Sequence, residues 1–416
     1  MFAAYALVDA VLSAGRDQVW AIWAACGYTT ALAVLWLWRA RALAVGISLA
    51  LAVLAPLLWL SVTYPLEDGM MVIDRAASLL IHRGTPYLSA AQVTSWLSYN
   101  PYLPVMTLAG LPSAAGLGGL AGNSGVWLAI GTVIPLAAAF WIAVPHRGCR
   151  PCRGEALLAT GIAVASPVIG LNLAVITTDP PVLAFILLAL ALAAPAATRS
   201  GFARTAGSGI ALGVACDLKS TAWLAVPVLA AMFAARDGAR AAGRFLAATV
   251  VTAVVLIAAL APAAVLRPAA MIGNAVLFPL GLTHYKTPAE SLLPGHVLTE
   301  LGTAGHVISV GLLLAVALGI AVSLVIRPPR DVPAAAWRLA IGLALMFLLG
   351  PDVRFGYFLY PLGLIGWLAL IKTAPPPRAA PAPAEDAVQD ALAARGDTSR
   401  HVLPGGGPVP QHRRRG

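Results

Sequence analysis

The chain has 416 residues, of which 60% are hydrophobic and only 11% charged, and this composition excludes a soluble globular protein because apolar stretches of membrane-spanning length recur along most of it. Its net charge of +10 lies largely in short loops between those stretches and in the last residues, a placement that favours anionic membrane lipids over nucleic acid as the partner. The expected fold class is therefore an all-α polytopic integral membrane protein.

The predicted elements begin with an apolar stretch over residues 1–18, which lacks the basic start of a signal peptide and is expected to remain as a short membrane or interfacial helix. Two of the later segments are short and flank the polar turn 217–220, so they are predicted to be half-helices or a tilted hairpin that protein or water surrounds. Residues 1–372 form a predicted transmembrane domain, and the Pro/Ala-rich basic residues 373–416 a disordered tail. About eleven apolar segments are predicted, near residues 20–37, 43–63, 125–145, 156–175, 181–197, 206–217, 221–235, 245–265, 307–326, 334–350 and 356–372.

Arginines in short loops predict the orientation of these segments. Placing the five arginine-bearing loops in the cytoplasm satisfies the positive-inside rule. The loops 64–124 and 266–306 and the turns 177–179 and 351–354 then lie together on the extracytoplasmic side, and the C-terminal tail lies in the cytoplasm. The five loops carry Arg39 and Arg41; Arg147, Arg150 and Arg153; Arg199 and Arg204; Arg236, Arg240 and Arg244; and Arg327 and Arg330.

The first long loop carries an acid, Asp68, just after a predicted membrane segment. A charge beside a bilayer is costly unless it is paired or used. Apolar residues at helical spacing predict an amphipathic surface helix over Met70–Arg83, with Gly84 as its stop signal. Asp68 is then the N-cap of this helix, a catalytic group, or both, whereas Asp74 and Arg75 are predicted to lie on its solvated face.

Two further segments bring polar groups to the same side. The segment 99–104, Tyr-Asn-Pro-Tyr-Leu-Pro, combines aromatic rings with an amide, which is typical either of an interfacial anchor or of a platform for a sugar or a lipid carrier. Asp179 precedes two prolines, so its side chain is expected to cap the helix that follows. A role for Asp179 as a second carboxylate of a site remains open.

Cations and imidazoles on the predicted outer side could hold a phosphate at the membrane surface, although each of them alone is typical of a snorkelling interfacial residue. The chain has no dense carboxylate cluster, and Cys149 and Cys152 form a lone CxxC, so no metal or other cofactor is expected. The cations and imidazoles are Lys219, Arg267, His284, Lys286, His296 and Arg354.

The order of these motifs resembles the actinobacterial GT-C fold mannosyltransferases of glycosyltransferase family 87, which use polyprenyl-phosphate mannose. The resemblance covers roughly residues 40–372. It rests on short motifs: the acid Asp68 after an early membrane helix, Gly84-Thr85-Pro86-Tyr87 at the end of the surface helix, the segment 99–104, Gly213 followed by Lys219, Pro294-Gly295-His296, and Arg354-Phe355-Gly356-Tyr357 followed by Tyr360-Pro361.

The resemblance implies an inverting transfer on the extracytoplasmic face, from a polyprenyl-phosphate sugar to a lipid or glycan acceptor. It gives Asp68 the role of catalytic base, with Asp74 as the alternative. It implies phosphate-binding roles for Lys219, Lys286, His296 and Arg354, and substrate-binding roles for Tyr87, Tyr99, Asn100, Tyr102, Asp179 and His284. A secondary transporter and a cell-envelope scaffold are the alternatives. The gathering of polar residues at one surface, without an internal repeat, favours the enzyme over the transporter.

Overall fold

The fold is built almost entirely from α-helices. The computed structural model describes residues 1–144, 150–195, 200–285, 291–351 and 353–373, apart from the side chains of residues 150–153 and 373. These ranges contain no β-strand beyond one isolated bridge between Tyr102 and Lys219. Their helices of eight residues or more are α1 Phe2–Leu12, α2 Gly15–Trp38, α3 Arg41–Thr63, α4 Asp68–Arg83, α5 Ser124–Ala143, α6 Arg150–Val164, α7 Pro167–Ala174, α8 Pro180–Ala193, α9 Gly201–Leu218, α10 Ala225–Asp237, α11 Ala239–Leu260, α12 Thr303–Ile326, α13 Val332–Leu349 and α14 Leu359–Thr373.

In the described part of the chain, seven helices are long and apolar enough to cross a membrane, namely α2, α3, α5, α11, α12, α13 and α14 with the turn before it. An eighth span results if α6 and α7, which meet at an angle of 63°, count as one broken helix. This is the architecture of an all-α polytopic membrane protein, the fold class that the composition predicts. The predicted segments near 181–197, 206–217 and 221–235 form α8, α9 and α10, which are too short or too polar to count as spans on their own.

Helix α8 lies at the centre of the bundle. Its residues are apolar on every side, as expected of a helix that is buried all round. It packs against α5, α9, α13 and α14, and most of its side chains are fully buried. The prolines at its first two positions start the helix in the way that proline commonly does. A short helix suffices here because neighbouring helices, and not lipid, surround it.

The N-terminal helices pack beside this bundle around a small core of their own, with Trp20 at its centre. A π-turn within α3, Ala50–Leu54, interrupts the regular helical hydrogen bonds, and the indole N–H of Trp20 donates to the Ala52 carbonyl at 2.8 Å. At the other end of α3, Arg16 donates to the Pro65 carbonyl and pairs with Glu67 at 3.5 Å. Arg16 therefore holds the start of α2 beside the start of α4.

Helix α4 is the predicted surface helix. It begins at Asp68, two residues before the predicted segment, and ends at Arg83, where Gly84 adopts the left-handed conformation with φ of 65° and donates its N–H to Leu80. The predicted stop at Gly84 is thus confirmed. The N-cap is Glu67, so the interpretation of Asp68 as the N-cap is wrong: Asp68 is the first helical residue, and no side chain caps this end.

Candidate functional site

A buried ion pair lies where three helices meet. The Lys219 Nζ atom, just after α9, donates to Asp179 Oδ1 at 2.7 Å, and the Tyr360 hydroxyl of α14 donates to the same oxygen at 2.7 Å. The Lys219 and Asp179 side chains are only 13% and 9% exposed. The expectation that the Asp179 side chain caps α8 is wrong, because the next two residues are prolines without an N–H and the carboxylate binds Lys219 and Tyr360 instead.

Two tyrosine rings flank the ammonium group of Lys219. Its Nζ atom lies 4.7 Å from the ring centroid of Tyr357 and 6.0 Å from that of Tyr102, within the range of cation–π attraction. The β-bridge between Tyr102 and Lys219, with a Leu103 N–H to Leu218 carbonyl hydrogen bond of 3.2 Å, holds the segment 99–104 against the end of α9. Burial raises the pKa of Tyr102, and Lys219 offsets part of that rise, so this hydroxyl stays protonated at neutral pH.

Three of the residues predicted to bind substrate hold this segment in place. Asn100 accepts from the Tyr102 N–H at 3.1 Å and donates to the Pro86 carbonyl at 3.2 Å. The Tyr87 hydroxyl donates to the Tyr102 carbonyl at 3.0 Å, and burial raises its pKa well above the ordinary value. The Tyr99 ring stacks on Phe278 with centroids 4.4 Å apart. All three side chains are buried, so they offer little surface to a ligand.

Two residues that sequence reasoning missed support the same segment. Asn274 accepts from the Asn100 N–H at 2.8 Å and donates to the carbonyls of Leu88 and Ala270, which joins the two long loops. The sequence feature that could have indicated Asn274 is that it is the lone amide side chain within the apolar stretch 268–282. Arg75 donates to the carbonyls of residues 97, 98 and 99 at 2.6, 3.0 and 3.4 Å. The interpretation of Arg75 as part of a solvated face is therefore wrong.

Replacing Arg75 should loosen the segment 99–104. In Arg75→Met we expect a loss of about 2 kcal/mol of unfolding free energy, because charge-assisted hydrogen bonds disappear and three carbonyls lose their donor. Thermal unfolding of the purified protein in detergent measures this loss as a lower midpoint. Arg83→Met, at an exposed position of the same helix, is the matched control and should leave the midpoint unchanged. Equal midpoints for the two variants would contradict the supporting role of Arg75.

The two acids of α4 point to different sides of the helix, since six residues correspond to about 600° of rotation. Asp68 is exposed, and its neighbour Gly69 faces two residues that flank the ion pair: a methyl group on Gly69 would lie 3.1 Å from the Tyr102 hydroxyl and 3.4 Å from Thr178 Cγ2. Asp74 is half-buried near Ser124, the first residue of α5, and its buried Oδ1 has no hydrogen-bond partner in the described structure, so the interpretation of Asp74 as part of a solvated face is wrong. Burial raises the pKa of Asp74, and the Ser124 hydroxyl offsets part of the rise.

Two of the other predicted phosphate ligands, Arg354 and His296, lie near the turn before α14. Arg354 is exposed, and its carbonyl accepts from the Tyr357 N–H at 3.1 Å, so it begins the turn that carries Tyr357 beside Lys219. His296 Nδ1 lies 2.8 Å from the Pro351 carbonyl, which fixes its ring near the start of that turn. His284 is exposed and contacts Tyr285 edge-on, with no described contact to the ion pair.

Some sequence predictions fall outside the described residues. These are the phosphate-binding role of Lys286, the CxxC of Cys149 and Cys152, whose side chains are not described, and the tail beyond residue 373. Arg267 is exposed and has no described partner. Within the described ranges, no three His, Cys, Asp or Glu side chains are grouped so that they could hold a metal ion.

The turn that delivers Asp179 to the ion pair is strained. After α7 the chain closes with a Thr177 N–H to Asn172 carbonyl hydrogen bond of 2.9 Å, and Ile176 takes the left-handed position with φ of 65°. Helices commonly end this way with glycine, whereas a β-branched residue there costs about 1–2 kcal/mol. The Ile176 side chain fits because it packs on Gly125, where a Cβ would lie 2.2 Å from Ile176 Cγ2.

A methyl group at Gly125 should displace this turn. We expect Gly125→Ala to destabilise the protein by about 1–3 kcal/mol through overpacking, and to reduce activity by moving Thr178 and Asp179. Gly131→Ala in the same helix is the matched control, because no atom lies within 4 Å of the added Cβ, so it should be neutral or slightly stabilising. Midpoints of thermal unfolding compare the two. If Gly125→Ala is as stable and as active as Gly131→Ala, close packing of the turn against α5 does not matter.

A comparison of the chain with models of protein families, with curated proteins and with solved structures finds no match. The site is therefore described by its own geometry: a buried Asp179–Lys219 pair that two tyrosine rings flank, and an exposed acid, Asp68, whose neighbour Gly69 packs against Tyr102 and Thr178. One exposed arginine, Arg354, stands a single turn away along the chain from one of these rings.

Proposed function

We propose that the protein is an integral membrane glycosyltransferase of the GT-C type, with about eleven membrane segments in all. It transfers a sugar, with mannose as the first choice, from a polyprenyl-phosphate donor to a hydroxyl of a lipid or glycan acceptor. The observation that carries the proposal is the position of Asp68, which is exposed in the first turn of a surface helix and directly precedes Gly69, the residue that packs against Tyr102 and Thr178 beside the Asp179–Lys219 pair.

In the proposed reaction Asp68 is the general base. It takes the proton of the acceptor hydroxyl while that oxygen attacks the anomeric carbon of the donor sugar, and the bond between this carbon and the phosphate oxygen breaks. The proton ends on Asp68, the negative charge ends on the polyprenyl phosphate, and the configuration at the anomeric carbon inverts. Asp68 suits this role because its carboxylate is exposed and has no described hydrogen bond, whereas Asp74 is turned towards the protein.

The leaving phosphate needs donors that hold its charge as it develops. Arg354 is exposed, and no described carboxylate pairs with it, so its guanidinium is available for bidentate binding of a phosphate. His296 lies near the start of the same turn through its contact with Pro351, and we propose it as a second phosphate ligand, together with Lys286. Lys219 suits this role less well, because its charge is already balanced by Asp179.

The reaction is proposed to take place on the extracytoplasmic side. The arginine-bearing short loops, placed in the cytoplasm by the positive-inside rule, put Asp68, the turn before α8 and the turn before α14 on the opposite side. Contacts of the first long loop with the end of α9 and with Asn274 support a common location for these groups. In this orientation the tail lies in the cytoplasm.

Reconstitution of the full chain into liposomes tests the proposal. The liposomes contain polyprenyl-phosphate mannose with a tritium-labelled sugar, and an alkyl mannoside serves as a generic acceptor. We expect label to appear in a new glycoside, with release of one polyprenyl phosphate for each sugar transferred. Absence of any labelled glycoside across lipid and glycan acceptors would contradict the proposal.

A secondary transporter is the second candidate, and Asp217 is the observation that favours it. This acid of α9 is completely buried, and neither of its carboxylate oxygens has a hydrogen-bond partner in the described structure. Buried acids of this kind are frequent along ion and proton pathways. The same liposomes separate the two functions, because a transporter moves an unmodified solute into the lumen whereas the enzyme makes a new covalent product.

A further inference from the structure

Only one of the two oxygens of the Asp179 carboxylate accepts hydrogen bonds from described residues. Its Oδ1 accepts two hydrogen bonds of 2.7 Å, from Lys219 and Tyr360, while no described residue donates to Oδ2. Lys219 in turn has three N–H donors and uses one of them on Asp179, with tyrosine rings on its other sides. One acceptor and further donors thus remain side by side on a pair whose Asp179 and Lys219 side chains are 9% and 13% exposed.

The charge balance of this pair decides which ligand it suits. Asp179 and Lys219 neutralise each other, so the pair has no net charge with which to attract a phosphate. A buried pair of this kind is often no more stabilising than apolar residues of similar size, so stability alone does not explain its presence. Adjacent hydroxyl groups each donate and accept a hydrogen bond, and they match an acceptor and a donor placed side by side.

The neighbours of the pair are of the types that bind a ring with hydroxyl groups. The Tyr102 and Tyr357 rings provide apolar faces beside the ammonium group, and the buried side chain of Thr178 lies close to Gly69, next to the proposed base. The strained Ile176 lies three residues before Asp179. Strain of this kind persists mainly at sites where the exact position of neighbouring groups matters.

We infer that Asp179 and Lys219 form a subsite for two neighbouring hydroxyl groups of a pyranose ring. Asp179 Oδ2 accepts from one hydroxyl, and a free N–H of Lys219 donates to the next. The inference rests on the proposed glycosyl transfer, since it identifies the part of the same site that recognises a sugar. The ring belongs either to the donor or to a glycan acceptor, and the two sources share this chemistry.

Double-mutant cycles between the protein and the ligand test the inference. Binding of a short-chain prenyl phosphate mannose and of its monodeoxy analogues, each lacking one ring hydroxyl, is measured on the full-length protein in nanodiscs for wild type and Asp179→Asn. We expect Asp179→Asn to weaken binding of the parent compound about 10- to 100-fold. One deoxy analogue should bind wild type weaker by a similar factor and show no further loss on Asp179→Asn.

A parallel cycle with octyl mannoside and its deoxy analogues distinguishes the two sources of the ring. Non-additive losses with the prenyl phosphate series assign the subsite to the donor sugar, and non-additive losses with the octyl mannoside series assign it to the acceptor. Additive losses in both series would overturn the subsite. The proposed function is measured separately, as glycoside formation by wild type, so the subsite can fail while the enzyme stands; if wild type neither binds these sugars nor forms a glycoside, both fail.

Two controls keep this test independent of folding. Asp237→Asn removes a carboxylate at the end of α10, where Asp237 contacts Arg204 of α9, and should leave binding unchanged. If Asp179→Asn proves unstable because Lys219 is left unpaired, the double variant Asp179→Asn with Lys219→Met has no buried unpaired charge and replaces it in the cycle. The double variant should bind the parent compound and the critical deoxy analogue equally, and unequal binding would overturn the subsite.

Discussion

Asp68→Asn should reduce sugar transfer by two to four orders of magnitude, about the contribution of a positioned general base. The amide cannot take the proton of the acceptor hydroxyl, so the attacking oxygen remains a weak nucleophile. Stability should not change, because the Asp68 side chain is exposed and no described residue bonds to it. The measurement is the initial rate of transfer from polyprenyl-phosphate mannose by purified wild type and variant at equal concentration.

Asp74→Asn is the matched comparison, because Asp74 is the other acid of helix α4. Burial raises the pKa of Asp74 in the folded state, so ionisation of Asp74 opposes folding. Its contribution to stability is most favourable below the unfolded pKa of about 3.9 and is lost as the pH rises through the folded pKa. At neutral pH Asp74→Asn should therefore be at least as stable as wild type and retain transfer. Loss of transfer in Asp74→Asn with full activity in Asp68→Asn would make Asp74 the base.

Lys219→Met should destabilise the protein by about 3–5 kcal/mol, because it leaves the Asp179 carboxylate buried without a counter-charge. Both side chains of the pair are largely buried, so water is a poor replacement for the ammonium group. Sugar transfer should fall as well, since Lys219 also holds the space between Tyr102 and Tyr357. Thermal unfolding in detergent, read together with the transfer rate, measures both effects.

The double variant Lys219→Met with Asp179→Asn is the control for this prediction. Removing both charges should restore most of the lost stability, because a neutral pair no longer carries a buried charge. Transfer should remain low. If Lys219→Met is as stable as wild type, water or another group balances the charge of Asp179, and Lys219 is not its essential partner.

Sequence reasoning predicted the parts of this fold that depend on local signals. Span-length apolar helices such as α2, α3 and α12 follow from the hydropathy of consecutive residues. The surface helix α4 follows from its apolar spacing and from Gly84, whose left-handed conformation few other residues adopt readily. Hydropathy and helical spacing can both be read from one short segment of the chain, without knowledge of its partners in the fold.

The site was only partly predictable because its groups come from distant segments. Asp179 and Lys219 were both singled out, but nothing in the spacing of residues 40 positions apart indicates that they pair. The helices around them are apolar on most sides, so no periodicity shows which faces meet. Arg75 was missed for a related reason: its partners are backbone carbonyls, which every residue has, so no sequence pattern reveals them.

The most direct test of the account is the anomeric configuration of the product formed by the purified wild-type protein. A donor of defined configuration, labelled with carbon-13 at the anomeric carbon, is incubated with the reconstituted enzyme and an acceptor, and the product is examined by nuclear magnetic resonance. Direct attack by a hydroxyl that Asp68 deprotonates predicts a glycoside of the opposite configuration. A product that retains the configuration, or a donor that is never converted to a glycoside, would contradict the account.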